Sequence, residues 1–291
     1  MVLGIDGGGT SCRAAIASAG GVIVGRAKVG PANIRTDLNA AADNIMAAVN
    51  AAFADAGEDV DRVPEIPAVL GLAGANVGTY SSRLKALLPF RRLSIVSDAV
   101  IALEGAVGAG DGAIGILGTG SAYLARRADE IREIGGWGFL VGDQGSGSRL
   151  GRDLFEETLL AYDEVTPRTQ LTEALLASFH GDPRELVEFT KGAAPSDFGR
   201  YAPLVLDYEA RGDATGLRIV RRAVEAVEAS LCALEAINDG PCCLLGGVAA
   251  LIEPRLAAER RTKLSRARQD GVGGAVAMAA RLLGDRGGAN V

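Results

Sequence analysis

Two short segments of this sequence share one pattern, an apolar strand that ends in a turn of glycine and hydroxyl residues. The first is Gly4-Ile5-Asp6-Gly7-Gly8-Gly9-Thr10 and the second is Gly115-Ile116-Leu117-Gly118-Thr119-Gly120-Ser121. Because further short strands and then helical periodicity follow each segment, we interpret them as two copies of one α/β unit. A chance match between short strings of Gly, Ser and Thr is the alternative.

The first half alternates between strand and helix patterns. Apolar residues recur every third or fourth position from Asp37 to Phe53, which predicts a helix of about five turns with Thr36 or Asp37 at its start. Further helices are predicted through Leu84 and Leu88 and from about Val100. Short apolar runs bounded by glycine turns predict strands at 2–5, 13–17, 21–25, 66–72 and 93–96. The predicted order is β-β-β-α-β-α-β-α.

The second half opens in the same way and then becomes mostly helical. The predicted elements are strands at 113–117, 122–126, 131–134 and 242–245, helices from about Ser146 and over most of 153–237, and a final helix at 275–283. One helix should carry an apolar stripe made of Leu217, Val220, Val224, Val227, Leu231 and Leu234. Since no Pro- or Ser-rich linker interrupts the chain, we expect closely packed lobes at 1–112 and 113–291 with a cleft and a hinge. The sequence leaves open whether the last helix packs back on the N-terminal lobe.

Composition restricts the chemistry. The sequence has 30 basic and 36 acidic side chains, a net charge of −6, one histidine and four cysteines without a C-x-x-C motif. We therefore expect no nucleic-acid partner, no zinc site and no Ser-His-Asp relay. No apolar run approaches the roughly 18 residues of a membrane span and no export signal is present, so a cytoplasmic protein with reduced thiols is expected.

The glycine turns are the main candidates for ligand binding. In the turn at 7–10, consecutive backbone N–H groups are free of side chains, which suits phosphate oxygens, and Thr10 adds a hydroxyl donor. Asp6 is suited to hold the hydration shell of a Mg²⁺ ion. A plain hairpin turn with a buried, capped aspartate is the alternative. The turn at 118–121 repeats this chemistry, and two turns facing each other across a cleft could hold a polyphosphate from both sides.

Two common nucleotide-binding motifs do not fit these turns. The sequence has no Walker A string, and G-x-G-x-x-G fails at both turns because Cys12 and Tyr123 stand at the last glycine position. The P-loop and Rossmann interpretations are therefore dropped.

Several polar residues near strand ends and glycine clusters are further candidates. Asp98 follows an apolar strand and could accept the proton of an attacking hydroxyl, or it could cap the next helix. Asp143 lies within Gly142-Asp143-Gln144-Gly145-Ser146-Gly147-Ser148 and could bind vicinal sugar hydroxyls, or the segment could be a surface loop. Asn33 is either a turn residue or a ligand contact.

Taken in order, these motifs resemble a known family. They are 4–10, Ser97-Asp98-Ala99, 118–121, Gly136-Trp137-Gly138 with 142–147, and Gly246-Gly247-Val248. The ordered set resembles the N-acetylglucosamine kinase and glucosamine kinase branch of the BadF/BadG/BcrA/BcrD ATPase family, within the actin/hexokinase/Hsp70 superfamily. The resemblance implies a duplicated actin-like (ribonuclease H-like) α/β fold, with two lobes and a central nucleotide and sugar cleft.

The resemblance also implies ATP and Mg²⁺ as cofactors and a role for each candidate residue. Asp98 would be the general base on the sugar 6-hydroxyl, and Asp6 would hold Mg²⁺ through water. The phosphate loops would be Gly8, Gly9 and Thr10 and, from the second unit, Gly118, Thr119, Gly120 and Ser121. Asn33, Asp98, Thr119, Trp137, Gly138 and Asp143 would contact the amino sugar, and Gly246 and Gly247 would lie against adenosine.

Three features depart from the family pattern. Ser11-Cys12 replace the Lys-Thr that often follows the first turn, so no lysine assists the phosphates there. Gln144 replaces a glutamate, which leaves the substituent at the sugar 2-position open. The Cys-rich zinc motif of the repressor and kinase branch is missing, which argues against that branch.

The resemblance implies an ATP-dependent kinase acting on the 6-hydroxyl of glucosamine, N-acetylglucosamine or a muramic-type sugar, and we expect a two-fold dimer. An iron-sulfur ATPase activator of a 2-hydroxyacyl-CoA dehydratase or benzoyl-CoA reductase system is one alternative. It is disfavoured because residues 13–231 contain no cysteine. A sugar sensor that binds nucleotide without catalysis is the other alternative, and the presence of Asp98 argues against it.

Overall fold

The computed structural model describes residues 1–9, 11–34, 37–75 and 79–284. Its strands are β1 Val2–Gly7, β2 Cys12–Ala17, β3 Ile23–Val29, β4 Ala68–Leu72, β5 Leu93–Ser97, β6 Gly112–Leu117, β7 Ser121–Arg127, β8 Glu130–Gly135 and β9 Cys242–Leu245. Its α-helices are α1 Leu38–Ala56, α2 Tyr80–Leu87, α3 Asp98–Val107, α4 Gly147–Tyr162, α5 Gln170–Ala177, α6 Pro183–Gly192, α7 Pro195–Gly199, α8 Ala202–Ala210, α9 Ala214–Glu235, α10 Ala249–Ile252, α11 Ala258–Lys263 and α12 Gly271–Gly284. Short 3-10 helices cover Val60–Glu65 and Glu253–Arg255.

The chain divides into two compact units. The first comprises Met1–Gly110 together with the residues from Arg266 onward, and the second comprises Asp111–Ser265. Among the described residues, no helix combines the length and the apolar character that crossing a membrane requires.

The first unit is built on a mixed sheet with strand order β3-β2-β1-β4-β5. β1 is antiparallel to β2 and parallel to β4, and β4 is parallel to β5. In register, Gly7 lies opposite Leu72, and Leu72 lies opposite Ser97. The carboxyl ends of β1, β4 and β5 therefore share one edge of the sheet, which is where ligands bind in sheets of this kind.

Helices cover both faces of this sheet. Because side chains alternate along a strand, Leu3 and Ile5 of β1 belong to the core cluster that contains Ile45 and Val49 of α1. Val2 belongs instead to a second cluster on the other face. The fully buried members of that cluster are Val2, Ala15, Ala17, Val69, Ile101, Val272, Ala275, Val276 and Ala279, so α12 closes this face of the sheet.

A polar contact joins α3 to α12 near the far end of both helices. The guanidinium of Arg281 donates a hydrogen bond to Glu104 Oε1 at 2.7 Å. The Glu104 side chain is only 2% exposed. A carboxylate buried to this degree needs a charged or hydrogen-bonding partner, and Arg281 provides one.

The second unit repeats the beginning of the first. Its sheet has the order β8-β7-β6-β9, with β6 antiparallel to β7 and parallel to β9. Helices α4 to α9 contribute most of its core, and β7 supplies Tyr123 and Ala125. The carboxyl ends of β6 and β9 are neighbours at one edge, since Ile116 pairs with Leu245.

The predicted element order of both halves is confirmed, but several limits differ. β3 begins at Ile23 because Ser18 N–H donates to the Val22 carbonyl in the preceding turn. α12 begins at Gly271, four residues before its predicted start, although glycines usually weaken a helix. Leu217 was wrongly placed in the apolar stripe of α9, where it is 47% exposed while Ile219 is buried.

Candidate active site

The first glycine turn follows β1 and is held by two backbone hydrogen bonds. Gly8 N–H donates to the Ser11 carbonyl at 2.9 Å, and the Gly8 carbonyl accepts from Ala32 N–H at 2.9 Å. A Cβ at Gly7 would lie 2.6 Å from Leu72 Cδ2, so packing requires that glycine. Among the described residues, a Cβ at Gly9 would meet nothing within 4 Å. The backbone at Gly9 is therefore open on its outer side, as close approach by a ligand requires. Thr10 lies outside the described residues.

Asp6 is the last polar side chain before this turn. The β1–β2 register places it directly opposite Arg13, whose Nη2 donates to Asp6 Oδ2. The side chain of Asp6 is 15% exposed. Burial raises the pKa of this carboxyl, and the charge and hydrogen bond of Arg13 oppose that rise. Sequence reasoning missed Arg13, although an acid and an arginine spaced across a tight hairpin were a signal for a cross-strand pair.

Asp98 stands where β5 ends and α3 begins, at the same edge as the first turn. At about 4.8 Å per strand, the β1 and β5 axes are about 10 Å apart, with β4 between them. The alternative that Asp98 caps the helix is wrong, because Ser97 is the N-cap residue and its Oγ accepts from Val100 N–H at 3.3 Å. Asp98 is the first residue of α3, and its Oδ1 accepts from Ala99 N–H at 3.0 Å.

Asn33 lies in a loop attached to the first turn. The attachment is the hydrogen bond from Ala32 N–H to the Gly8 carbonyl, one residue before Asn33. Asn44 of α1 fixes the same loop, because its Nδ2 donates to the Pro31 carbonyl at 2.7 Å. The first unit thus brings Asn33 and the glycine turn together at one sheet edge.

The second glycine turn is held against the start of α4. Gly118 N–H donates to the Gly120 carbonyl at 2.9 Å. The carbonyls of Gly118 and Thr119 accept from the first N–H groups of α4, those of Gly147 at 2.9 Å and Ser148 at 3.1 Å. These bonds satisfy two donors that every helix N-terminus leaves unpaired. A Cβ at Gly118 would meet no described residue within 4 Å, as at Gly9 in the first unit.

The Asp143 carboxylate faces this second turn. Its Oδ1 accepts from Ser121 N–H at 3.3 Å, and a Cβ at Gly120 would lie 2.9 Å from its Oδ2. The Ser121 hydroxyl in turn donates to the Gln144 carbonyl at 2.9 Å. Asp143 is 8% exposed and adopts a left-handed backbone with φ of 59°. Burial raises the pKa of Asp143, and the Ser121 N–H group and Arg149 oppose that rise.

Trp137 and Gly138 occupy the loop between β8 and Asp143. The Trp137 side chain is 79% exposed, and Leu140 and Val141 of the same loop are also exposed. Gly138 has a φ of 86° and its carbonyl accepts from Gly142 N–H at 2.7 Å. The structure therefore places Asp143 against the second turn and leaves the Trp137 ring in solvent.

Gly246 and Gly247 follow β9, next to the carboxyl end of β6. Gly246 has a φ of 98°, and a Cβ there would lie 2.3 Å from the Leu117 carbonyl oxygen, so the fold requires this glycine. In the part of the chain that the structure describes, a Cβ at Gly247 would meet nothing within 4 Å. The segment predicted to contact adenosine thus adjoins the second glycine turn within one unit.

Comparison with known proteins defines the class. A model of the BadF/BadG/BcrA/BcrD ATPase family matches residues 3–278, and the chain belongs to this family. Glucosamine kinase GspK of Vibrio cholerae is 32% identical over 278 residues, which is 95% of each chain. A crystal structure from Chromobacterium violaceum, provisionally named an N-acetylglucosamine kinase, has a TM-score of 0.88 and 31% identity and covers 96% of this chain and 98% of its own.

A more distant structure bears on the fold alone. A ROK family glucokinase from Streptomyces griseus has a TM-score of 0.56 and 19% identity, with 97% of this chain and 98% of that chain covered. The predicted family and the predicted actin-like, hexokinase-type fold are therefore both confirmed.

Proposed function

We propose that this protein is an ATP-dependent amino-sugar kinase that phosphorylates the 6-hydroxyl of glucosamine or N-acetylglucosamine. The observation that carries the proposal is that each unit ends a strand in a glycine turn whose backbone is open, at Gly9 and at Gly118. Backbone N–H groups without side chains suit the oxygens of a polyphosphate. The family is an ATPase family, and the named relatives are kinases of amino sugars.

The reaction needs in-line alignment, charge neutralisation and removal of one proton. The bond between the sugar O6 and the γ-phosphorus forms as the bond from that phosphorus to the leaving oxygen of ADP breaks. Asp98 accepts the O6 proton. Gly8, Gly9, Thr10, Gly118, Thr119, Gly120 and Ser121 bind the phosphates, and Gly246 and Gly247 lie against adenosine.

The residues at the end of β1 fit a Mg²⁺ ion. Among the described residues, no group of three or more His, Cys, Asp or Glu side chains could enclose a metal. Mg²⁺ commonly needs no such cage, because it keeps several waters and uses one or two carboxylates together with substrate phosphates. Asp6 supplies a carboxylate beside the first turn and would hold the ion through water. The ion would neutralise charge on the transferred phosphoryl group.

Asn33, Asp98, Thr119, Trp137, Gly138 and Asp143 are the proposed sugar contacts. The hydrogen bond between Ser121 and Asp143 supports a link between the sugar loop and the second phosphate turn. Gln144, which replaces an acid, makes the charge next to the sugar less negative and bears on the choice between a free amine and an acetamido group. We further propose that the two units are the two lobes of the fold, and that the enzyme is a cytoplasmic two-fold dimer.

The test is a coupled assay of ADP release with Mg²⁺ and a panel of glucosamine, N-acetylglucosamine, N-acetylmuramic acid and glucose. We expect turnover with at least one amino sugar well above that with glucose, and a product phosphorylated at O6 by NMR. The Asp98→Asn protein is the matched control for contaminating kinases. ADP release that is independent of every sugar would reject the proposal.

A further inference from the structure

Arg13 lies between two carboxylates in the first unit. Its Nη2 donates to Asp6 Oδ2 across the β1–β2 pair, and its Nη1 lies 3.6 Å from Asp270 Oδ2. The Arg13 and Asp270 side chains are 43% and 42% exposed, whereas Asp6 is largely buried. One guanidinium thus has a buried partner and a solvent-accessible partner within reach of its two terminal nitrogens.

Asp270 is fixed independently of Arg13. Its Oδ1 accepts from Gly273 N–H at 2.9 Å in the first turn of α12, and Arg26 lies 3.6 Å from its Oδ2. The next residue, Gly271, lies beside Asp6, because a Cβ added to Gly271 would lie 3.1 Å from Asp6 Oδ2. The absence of a side chain at Gly271 leaves that space open. The second partner of Arg13 is therefore held by contacts that do not involve Asp6.

We propose that Arg13 is a positioning residue that neutralises Asp6 while the metal is absent and transfers fully to Asp270 when Mg²⁺ and nucleotide bind. This inference rests on the proposed function for the role of Asp6. It explains how the protein tolerates a buried carboxylate without metal, which otherwise carries a desolvation cost. It also explains how Arg13 can leave Asp6 without losing an ionic partner.

A transfer of Arg13 from Asp6 to Asp270 predicts opposite effects on Mg²⁺ binding when the charge of Arg13 or the charge of Asp270 is removed. Removal of its charge leaves Asp6 unneutralised in the metal-free protein, but it also removes a competitor for Mg²⁺. Removal of the Asp270 charge leaves Arg13 with Asp6 alone, so Mg²⁺ must compete with a better-held cation. Asparagine at position 270 keeps the helix cap, because its side-chain oxygen also accepts from backbone N–H groups.

The experiment uses the full chain, thermal unfolding and Mg²⁺ titration in saturating ADP. Relative to the native protein, Arg13→Gln should unfold at a lower temperature in EDTA. It should nevertheless reach half of its Mg²⁺-dependent stabilisation at a Mg²⁺ concentration about threefold lower. That factor corresponds to the free energy of a partly exposed ion pair. Asp270→Asn should need more Mg²⁺ than the native protein. Arg13→Lys should restore near-native behaviour in both measurements.

Lys28→Gln is the matched control, because Lys28 is the cross-strand partner of Arg13 on β3 and carries the same charge. Its Mg²⁺ requirement should stay near that of the native protein. The inference is overturned if Arg13→Gln needs as much Mg²⁺ as the native protein or more, if Lys28→Gln reproduces its effect, or if Mg²⁺ gives the native protein no stabilisation with ADP. Stabilisation by Mg²⁺ and ADP with the expected variant pattern, but without phosphorylation of any sugar, would reject the proposed function and support this inference.

Discussion

Gly274 of α12 packs so closely against α3 that a Cβ on it would lie 2.0 Å from the Ile101 carbonyl oxygen. The same atom would lie 2.5 Å from the backbone nitrogen of Gly105. Both obstacles are backbone atoms and cannot rotate away. The glycine therefore allows a close crossing between the helix that starts with Asp98 and the helix that starts beside Asp6.

Gly274→Ala should destabilise the protein by roughly 3 kcal/mol or more, because the two helices must separate and the gain in helix propensity of about 1 kcal/mol is smaller. Urea unfolding measures this. Gly192→Ala at the end of α6 is the control, since a Cβ there meets none of the described residues within 4 Å. It should be neutral or slightly stabilising. Equal stability of both variants would show that α3 and α12 do not need the close crossing.

Gly9→Ala should leave stability nearly unchanged and weaken ATP binding. The described part of the chain leaves room for the methyl group at this position, so we expect a ligand lying against the backbone to meet it. Gly7→Ala should give the contrasting result, a loss of stability, because Leu72 Cδ2 occupies the space. Urea unfolding and calorimetric titration with ATP separate the two effects. Undiminished ATP affinity in Gly9→Ala would place the phosphates elsewhere.

Asp98→Asn should keep native stability and lose about 10²–10⁴-fold or more in kcat, because it removes the proposed proton acceptor while Ser97 continues to cap α3. Ser97→Ala should lose about 1 kcal/mol of stability as the cap is removed. Steady-state kinetics and urea unfolding of both variants test the division of roles. Near-native kcat in Asp98→Asn would remove this residue as the base.

Asp143→Asn should gain stability relative to the native protein as pH rises. Because burial raises the pKa of Asp143 in the folded state, its contribution to stability is full below the ordinary value near 4 and is lost as pH rises through the raised value. A neutral amide escapes that loss. The difference in urea midpoint between variant and native protein should therefore grow from pH 4 to pH 7.

Asp239→Asn, at an exposed aspartate of the same unit, is the matched control for removal of one carboxylate. Asp143→Ala should raise KM for the sugar far more than KM for ATP, as a sugar contact requires. Equal increases would indicate that the Asp143 carboxylate supports the second glycine turn through Ser121 and does not touch the sugar.

Local patterns were enough to predict most of the strands and helices. Periodicity gave the helix that begins after Asp37, whose side chain accepts from the N–H groups of Asn39 and Ala40. Periodicity did not predict the first residues of α12, because Gly271, Gly273 and Gly274 are typical of a turn when only the local sequence is considered. The close approach to α3 that favours glycine there is a tertiary contact, and no local rule contains it.

The types of residue at the strand ends predicted part of the candidate site. Those types identified the two turns and Asp98, but not whether Ser97 or Asp98 caps α3, since both residues suit that position. Arg13 was missed because its importance depends on the β1–β2 register, which places it opposite Asp6. The contact between Asp143 and Ser121 depends on how a long loop returns to the sheet, which spacing alone does not define.

The membership of α12 in the first unit affects how the chain is made. β1 leaves the ribosome early, but the sheet face that carries Val2, Ala15 and Val69 lacks its cover by α12 until residues 271–284 have been synthesised. The second unit has all of its own core residues before then. The second unit should thus complete its core before the first, although the first is synthesised earlier. The growing polypeptide therefore exposes an apolar surface that chaperones can bind.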